Sequence, residues 1–387
     1  MKDCDAVKGL LQKALGDTGA EIECFDCSRT TQMLVVRQVM PEMLKSVCRA
    51  LEAEGYACEA DNAFGENQFF SYIAEEEALF VSYYPTDARL HLICDVRPLP
   101  VHCVPKGAEE QLLFAQYATQ NSFRSDARGY ANGMGYLFRL EDNTLIAIDG
   151  GHKEDAHGFL QLMRKLTGCE RPRVALWIVT HPHLDHFSAL SELCKTDDVT
   201  VDAYYTCMPP ESFTEPDYRV FLETMRGYEV KNRTAHTGDR FVFGKLCMET
   251  LVTGEEVLCR TPEGSIKNVN DLSLMLRFCA EGQSILFPGD AGTPEYGVAE
   301  AVAGARLRSD LYQVSHHGRT GAAHADHFAS LVSPKLVLWP GNRNQIAYHE
   351  ENGVSNRWLR SAQSTVTEHI VASDGSWICE LPYTIQA

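Results

Sequence analysis

The stretch VALWIVTHPHLDH, residues 174–186, joins an apolar run to four side chains of the kinds that bind metal ions. The first six residues are apolar and partly β-branched, which is typical of a buried β-strand. His181 and His183 lie two apart, so both imidazoles can face one ion if the segment is extended, while Asp185 and His186 can face a second. Three imidazoles and a carboxylate suit zinc best, and iron or manganese less well. A metal-free surface turn is the alternative, but these ligand types rarely coincide at this spacing after a buried strand.

The motif THPHLDH, residues 180–186, resembles the H-x-H-x-D-H signature of the metallo-β-lactamase-fold hydrolases, where it also follows a strand. The resemblance covers roughly residues 130–385 and implies a layered α/β fold, an αββα sandwich with the metal site at one sheet edge. Strands that alternate with helices in this region agree with a layered architecture. The pattern also predicts a helix from about Phe187 and a C-terminal hairpin around residues 373–375.

Two aspartates follow other predicted strands of this region. Asp149 precedes two glycines, which allow a turn that residues with a Cβ adopt poorly. Its carboxylate can accept a hydrogen bond from a ligand imidazole or from a backbone amide of the signature loop, and it matches the first family motif. Asp290 follows a glycine at a strand end and resembles the aspartate that the family shares between two cations about 3.5–4 Å apart.

Two adjacent histidines, His316 and His317, precede a glycine after the predicted strand at residues 311–315. Together with NDLS at 270–273 and FPGD at 287–290, the pair resembles one branch of the family, the hydrolase domain of ComEC-type DNA-uptake proteins and the phosphorylcholine esterases. Neighbours on an extended segment point opposite ways. We therefore expect His317 to bind metal and His316 to contact the substrate or its leaving group.

The sequence departs from the family at one ligand. The family usually has a histidine between the signature and the shared aspartate as third ligand of the first metal, and in that interval this sequence has His236. His236 lies in a predicted turn before a hairpin, which disfavours it as a ligand. Water, Asn270 or Asp271 would otherwise complete the first site, which would then bind its metal less tightly.

The resemblance implies a metal-dependent hydrolase with two divalent ions, preferably zinc. The implied ligands are His181, His183 and Asp290 for one ion and Asp185, His186, Asp290 and His317 for the other. The ions would generate a metal-bound hydroxide, so no protein nucleophile is needed. Asp185 and Asp149 are the catalytic carboxylates of this scheme, with Asp149 behind the ligands. His316 would protonate the leaving group, since a histidine titrates near neutral pH.

A phosphodiester or phosphoryl ester is the substrate class that the branch resemblance implies. Arg319 offers a fixed fork of donors for a phosphate oxygen, and Asn270 is a second candidate for substrate binding. A thioester, lactone or amide would suit the same metal centre. Two alternatives are not hydrolytic: a metal-binding sensor or scaffold, and a diiron redox centre, for which the sequence shows no flavin motif.

The composition is that of an ordinary globular protein. The chain has 387 residues, of which 44% are hydrophobic, enough for a sizeable core in one large domain or two. The formal net charge of -18 argues against long nucleic acid as a partner and favours a small or short substrate. The 14 cysteines lack regular spacing and are expected to be reduced thiols. No stretch approaches the roughly 20 apolar residues of a membrane span, so we expect a soluble, cytoplasmic protein.

Residues 1–125 carry none of this metal chemistry and predict a small α+β unit, followed by the hydrolase domain at 126–387. The pattern indicates a strand, a helix and three strands, at residues 33–37, 41–55, 72–73, 79–84 and 90–94. Residues 101–128 contain the prolines and glycine of a connector. We expect the unit to have a structural role or to mediate a homo-oligomer, rather than to select the substrate.

Overall fold

The computed structural model describes residues 4–16, 18–25, 31–123, 133–207, 216–228, 230–262, 264–319, 322–351 and 356–386. Within these ranges, no helix is both long enough and apolar enough to cross a bilayer. The cysteines from Cys24 to Cys379 that the structure describes are free thiols. Cys27, three residues after Cys24, lies outside the described residues.

The described residues up to 96, here called the N-terminal unit, form a six-stranded antiparallel sheet with two helices on one face. Its elements are α1 (Cys4–Leu15), β1 (Ile22–Phe25), β2 (Gln32–Arg37), α2 (Pro41–Ala53), β3 (Ala57–Phe64), β4 (Asn67–Ala74), β5 (Glu77–Tyr84) and β6 (Arg89–Val96). The strand order is β1-β2-β6-β5-β4-β3. Helix α2 starts at Pro41 and buries Leu44, Val47 and Leu51 at helical spacing, as predicted.

The sequence pattern missed α1, β1 and β3 in this unit. Strand β3 lies at the sheet edge, and its first five residues are exposed. It therefore lacks the alternation of apolar and polar residues by which a strand is recognised.

The rest of the chain, here called the sandwich, contains two further sheets among its described residues. Strands β7 to β13 are Leu113–Gln116, Gly135–Arg139, Leu145–Asp149, Arg173–Ile178, Thr200–Val201, Ala203–Thr206 and Lys231–Thr234. Strands β14 to β21 are Arg240–Phe243, Leu246–Val252, Met275–Ala280, Gln283–Phe287, Leu311–Gln313, Leu336–Trp339, Glu368–Val371 and Trp377–Glu380. One sheet has the order β13-β12-β10-β9-β8-β7-β21, with β11 beside β10, and the other has the order β14-β15-β16-β17-β18-β19-β20.

Helices cover the outer faces of both sheets. Helices α3 to α9 are Ala156–Thr167, Leu184–Leu193, Pro216–Gly227, Gly254–Arg260, Thr293–Ala303, Ala322–Val332 and Arg343–Glu351. The inner faces pack directly together, with the rings of Phe138 and Phe278 stacked at a centroid distance of 4.6 Å. Outside, Phe159 of α3 lies 5.7 Å from Trp177 of β10, ring centre to ring centre. The predicted αββα sandwich is therefore confirmed.

Two local predictions within the sandwich were wrong. The segments on either side of residues 373–375 do not form a hairpin, because β20 pairs in parallel with β19 while β21 pairs with β7 in the other sheet. The chain instead crosses here from one sheet to the other. Helix α4 begins at Leu184, three residues before the predicted start, so Asp185 and His186 lie in its first turn.

The predicted division of the chain between residues 125 and 126 stays a prediction. Strand β7 precedes that division, yet it pairs with β8 and β21 inside the sandwich. Residues 124–132, which include the end of the predicted connector, lie outside the described residues.

The second face of the N-terminal sheet packs against the sandwich. Phe69 lies against Gly238, where a Cβ atom would stand 2.3 Å from the Phe69 ring, and φ at this glycine is +94°. His236 is fully buried beside this contact, with Nδ1 3.1 Å from Glu255 Oε2 and Nε2 3.1 Å from Asp95 Oδ2. Both ring nitrogens therefore face carboxylates, one from each part of the chain.

The His236 contact predicts a pH-dependent stability. Burial opposes the charged imidazole, but Glu255 and Asp95 raise the pKa of His236 from 6.5 to about 10. Because the folded-state pKa is the higher one, this stabilisation is complete below pH 6.5 and is lost as the pH rises towards 10. We expect His236→Gln to lower the free energy of unfolding by about 3–5 kcal/mol at the acidic end of this window.

Urea denaturation across the window measures this effect. The difference between wild type and His236→Gln should shrink as the pH rises. His327→Gln is the control, since His327 is an exposed residue paired with Glu300 at 3.2 Å. A difference independent of pH would show that His236 is not charged in the folded protein.

Candidate metal centre

The predicted ligands lie where strands of both sheets end. Asp149 ends β9, and His181 follows β10 after Val179 and Thr180; both strands belong to the first sheet. Asp290 follows β17 and the histidine pair follows β18, which are neighbours in the second sheet. The face-to-face packing of the sheets therefore brings together residues that are up to 168 positions apart in the sequence.

The signature loop places its imidazoles side by side. His181 Nε2 lies 3.0 Å from His183 Nδ1, as the two-residue spacing suggested. His181 is buried, whereas His183 is partly exposed at the residue before α4. Asp185 and His186 follow in the first turn of that helix, and Asp185 Oδ1 is 3.7 Å from His186 Nε2.

One carboxylate oxygen, Oδ2 of Asp290, is the common neighbour of the cluster. It lies 3.4 Å from Nε2 of His186, 3.4 Å from Nε2 of His317 and 3.9 Å from Nε2 of His181. Asp185 Oδ2 is 3.5 Å from the same His317 nitrogen. Ligands of one zinc ion, each about 2.0–2.2 Å from it, have a similar mutual spacing.

Several atoms of the cluster are buried without a hydrogen-bond partner among the described residues: Nε2 of His186, Nε2 of His317 and Oδ1 of Asp290. A buried polar atom without a partner is costly, so these atoms fit a role as metal ligands. The atoms form two groups, His181–His186–Asp290 and Asp185–His186–His317. His183, expected in the first group, contacts His181 but belongs to neither group.

Residues behind the ligands fix the orientation of the imidazole rings. Asp149 Oδ2 lies 2.9 Å from His186 Nδ1, and its two oxygens accept hydrogen bonds from the amide and the hydroxyl of Thr180 at 2.8 and 2.9 Å. The carbonyl oxygen of Pro340 lies 3.0 Å from His317 Nδ1. In both cases Nδ1 is occupied as a donor, so the Nε2 lone pair points into the centre.

The loop that carries Asp290 approaches its neighbours very closely. Gly289 has φ +61°, and a Cβ atom there would lie 3.0 Å from Cβ of Ser273 and 3.1 Å from Cβ of Thr180. The buried amide of Gln313 bonds both the N–H and the carbonyl of Gly289, at 3.1 and 3.0 Å. Sequence analysis did not identify Gln313. The signal that could have found it is a polar amide at the end of the apolar strand β18, just before the histidine pair.

The carboxylates favour positive charge inside the centre. Burial opposes charge on His186, but Asp290, Asp185 and Asp149 raise its pKa well above the ordinary value. Burial likewise opposes charge on His317, yet Asp290 and Asp185 raise its pKa to about 9. The same contacts hold the pKa of Asp185 far below its usual range despite burial. The electrostatic field of the cluster therefore suits divalent cations.

The sequence argument assumed that the two adjacent histidines lie on an extended segment. The structure shows that they do not. His316 and His317 have left-handed backbone angles, with φ of +48° and +53°, in the tight turn Ser315–Gly318, and both face Asp290, with His316 Nε2 3.8 Å from Oδ2. Burial, opposed by Asp290, lowers the pKa of His316 to about 4. This lowered pKa favours the neutral imidazole, and the role of His316 as leaving-group acid stays a prediction.

The two predicted substrate contacts lie beside His316. Asn270 Nδ2 is 3.4 Å from His316 Nε2. Arg319 follows directly after the tight turn and is close enough to contribute to the lowered pKa of His316. Both residues are therefore neighbours of His316, which itself lies beside the metal cluster.

Neither His236 nor Asp271 completes the first site. Both nitrogens of His236 face carboxylates at the contact between the two parts of the chain. Asp271 directs Oδ2 to the amide of Lys267 at 3.4 Å, and Oδ1 lies against Gly292. His236 was disfavoured as a ligand, and its contacts with Asp95 and Glu255 agree with that expectation. Asp271, one of the alternatives for the first site, is instead held by the nearby Lys267 amide.

Glu295 is a buried carboxyl beside the centre that sequence analysis overlooked. It lies in the first turn of α7 with no exposed surface, and neither of its oxygens has a hydrogen-bond partner among the described residues. Burial, with Asp271 and Asp290 nearby, raises its pKa well above the usual range. Burial therefore favours the uncharged form of this carboxyl.

A comparison with known families agrees with this geometry. Residues 131–217, which contain Asp149 and the complete signature loop, match the sequence model of the Metallo-beta-lactamase superfamily. This part of the chain, 87 of its 387 residues, is therefore similar to the metallo-β-lactamase superfamily. No curated protein is significantly similar to the chain in sequence.

Solved structures of similar proteins are distant in sequence. The metallo-beta-lactamase fold protein YhfI from Bacillus subtilis is 12% identical, with a TM-score of 0.40, covering 69% of this chain and 99% of its own. Zn(2+)-bound PqqB from Methylobacterium extorquens is 10% identical, with a TM-score of 0.41, and the match covers 70% of this chain and 100% of PqqB. CmlA, a diiron beta-hydroxylase from Streptomyces venezuelae, is 14% identical, with a TM-score of 0.41, and the match covers 74% of this chain and 55% of CmlA. At these values the similarities identify no substrate.

Removing the charge that orients His186 should weaken metal binding. We expect Asp149→Asn to lower the affinity for zinc by about 10- to 100-fold, because the Nδ1 proton of His186 would no longer be held by a carboxylate. Competition with a chromophoric chelator measures this affinity.

Asp155→Asn is the matched control for that measurement. Asp155 is also fully buried and accepts backbone hydrogen bonds, from Gln120 and His152, but touches no predicted ligand. An equal loss of affinity in both variants would mean that Asp149 acts only on folding.

Proposed function

We propose that the metallo-β-lactamase superfamily domain of this chain is a metal-dependent hydrolase that cleaves a phosphodiester or a phosphoryl ester. The observation that carries the proposal is the convergence of His186, His317 and Asp290, whose buried ligand atoms have no other partner among the described residues. His181 and Asp185 complete the two groups, with His183 beside them. Two divalent ions bound there, preferably zinc, would activate a water and stabilise the charge that develops on the substrate.

Asp185 is the carboxylate best placed to orient a water. Its side chain keeps 21% exposure, whereas that of Asp290 keeps 3%. Asp185 can therefore accept a hydrogen bond from a water at the mouth of the centre and orient it, while Asp290 stays inside as the shared ligand. Asp149 acts behind the ligands by holding His186 in one tautomer.

The phosphoester class rests on the side chains that border the metal cluster. A guanidinium binds two phosphate oxygens at once, and Arg319 lies next to His316 on this border. The Asn270 amide is a further donor on the same side. We propose that neutral His316 positions Asn270 and the substrate by hydrogen bonding, in place of the leaving-group acid that its sequence position suggested.

The first test combines metal analysis with hydrolysis of bis-p-nitrophenyl phosphate. Wild type should carry about two equivalents of metal and turn the ester over, and Asp290→Ala should lose metal and more than about 100-fold in kcat/KM. Asp202→Ala, which removes an exposed partner of Arg173, is the control and should behave as wild type. Stoichiometric metal without turnover of any ester would favour the sensor or scaffold alternative.

Arg319 provides the test of substrate class. Loss of a charged hydrogen bond to a phosphate oxygen predicts that Arg319→Ala lowers kcat/KM for the phosphodiester by about 10- to 100-fold. Arg319→Lys should recover only part of this, since an ammonium lacks the planar fork. Arg343→Ala, at an exposed pair with Asp374, is the control. Unchanged phosphodiester turnover together with faster cleavage of a lactone or thioester would contradict the phosphoester assignment.

A further inference from the structure

A second group of metal-type side chains lies where the N-terminal unit meets the sandwich. His91 comes from β6, while Glu256 and Cys259 come from α6, three residues apart and so on one face of that helix. All three are buried, with exposed fractions of 1%, 2% and 9%. None of them belongs to the catalytic cluster.

The ligand atoms have the spacing of a zinc site. His91 Nδ1 lies 3.1 Å from Glu256 Oε2 and 3.9 Å from Cys259 Sγ, and the three atoms are within 4.8 Å of one another. Two ligands of a tetrahedral zinc ion are about 3.3–3.7 Å apart, so each measured distance differs from that range by about 0.2 Å. A small shift of the side chains would place all three on one ion.

The surrounding charges are compatible with a divalent cation. The Arg260 guanidinium binds Glu256 Oε1 and Asp87, and it stacks on Tyr84 with Cζ 4.1 Å from the ring centre. Arg260 thus holds the second oxygen of Glu256 and leaves Oε2 facing His91, as groups behind a metal ligand commonly do. If Cys259 binds as a thiolate and Glu256 as a carboxylate, their two negative charges and that of Asp87 balance the charges of a divalent ion and of Arg260.

We propose that His91, Glu256 and Cys259 form a second metal site, for a zinc-type divalent cation, that joins the N-terminal unit to the sandwich. Binding displaces the thiol proton of Cys259, which otherwise donates to the Glu256 carbonyl oxygen at 3.4 Å. Three protein ligands leave the fourth tetrahedral position for a small ligand such as water. This proposal does not depend on the hydrolase function.

The site would also connect the N-terminal unit with the border of the catalytic centre. Helix α6 packs on the helical turn of residues 269–272, where a Cβ atom at Gly254 would lie 3.0 Å from Cβ of Leu272. That turn carries Asn270, the neighbour of His316. A metal that fixes α6 against β6 therefore limits movement of one substrate-contacting side chain.

Cobalt substitution separates this site from the catalytic one, because the catalytic cluster contains no cysteine. The full chain is stripped with a chelator, loaded with Co²⁺ and examined for thiolate-to-cobalt charge-transfer absorption. Wild type and Asp290→Ala should both show the band, with about one equivalent of tightly bound metal left in Asp290→Ala. Cys259→Ala should lose the band.

Cys379→Ala is the matched control, since Cys379 is also a buried thiol, 8% exposed, but lies in β21. It should keep the band. Absence of the band in wild type would overturn the proposal whether or not any variant folds. Persistence of the band in folded Cys259→Ala would also overturn it. Loss of turnover in Asp290→Ala with the band retained would support the second metal site and show that it is independent of the hydrolase site.

Discussion

The candidate metal centre depends on the burial of one carboxylate among imidazoles. Asp290 is 2% exposed, and its Oδ2 lies within 3.9 Å of nitrogens of His181, His186, His316 and His317. A buried carboxylate is costly unless positive charge compensates it, and here only protons on the imidazoles or metal ions can do so. The arrangement is stable with cations and strained without them, which is the property required of a metal-binding centre.

The rigidity of this arrangement comes from the sandwich. Each ligand follows a strand by no more than eight residues, and the strands are fixed by a core of stacked aromatic rings between the sheets. Asp149 and the Pro340 carbonyl then select the tautomers of His186 and His317. Gln313 holds the backbone of Gly289 from both sides, so Asp290 has little freedom to move. The site is therefore largely formed before any metal or substrate binds.

Short sequence patterns were sufficient to predict most of the candidate ligands. The signature stretch, the two aspartates after strands and the histidine pair are short motifs that resemble those of a known family. That resemblance implied that the chain would bring them together. His236 shows the limit of this method, because its role is decided by Asp95, 141 positions away in the sequence. The C-terminal strands show it too. A bend around residues 373–375 predicts a hairpin locally, yet pairing with β19 and β7 sends the two strands into different sheets.

The contact between the two parts of the chain is more than a covering of apolar surface. Glu255 and Glu256 of α6 are buried, and their partners His236, His91 and Arg260 include one residue of the N-terminal unit. Phe64, Phe69 and Tyr84 of that unit also join a hydrophobic cluster of the sandwich. Buried charges tolerate only the alignment that pairs them, whereas apolar surfaces tolerate sliding. The charges thus specify one orientation of the N-terminal unit, and through α6 they fix the helical turn that carries Asn270.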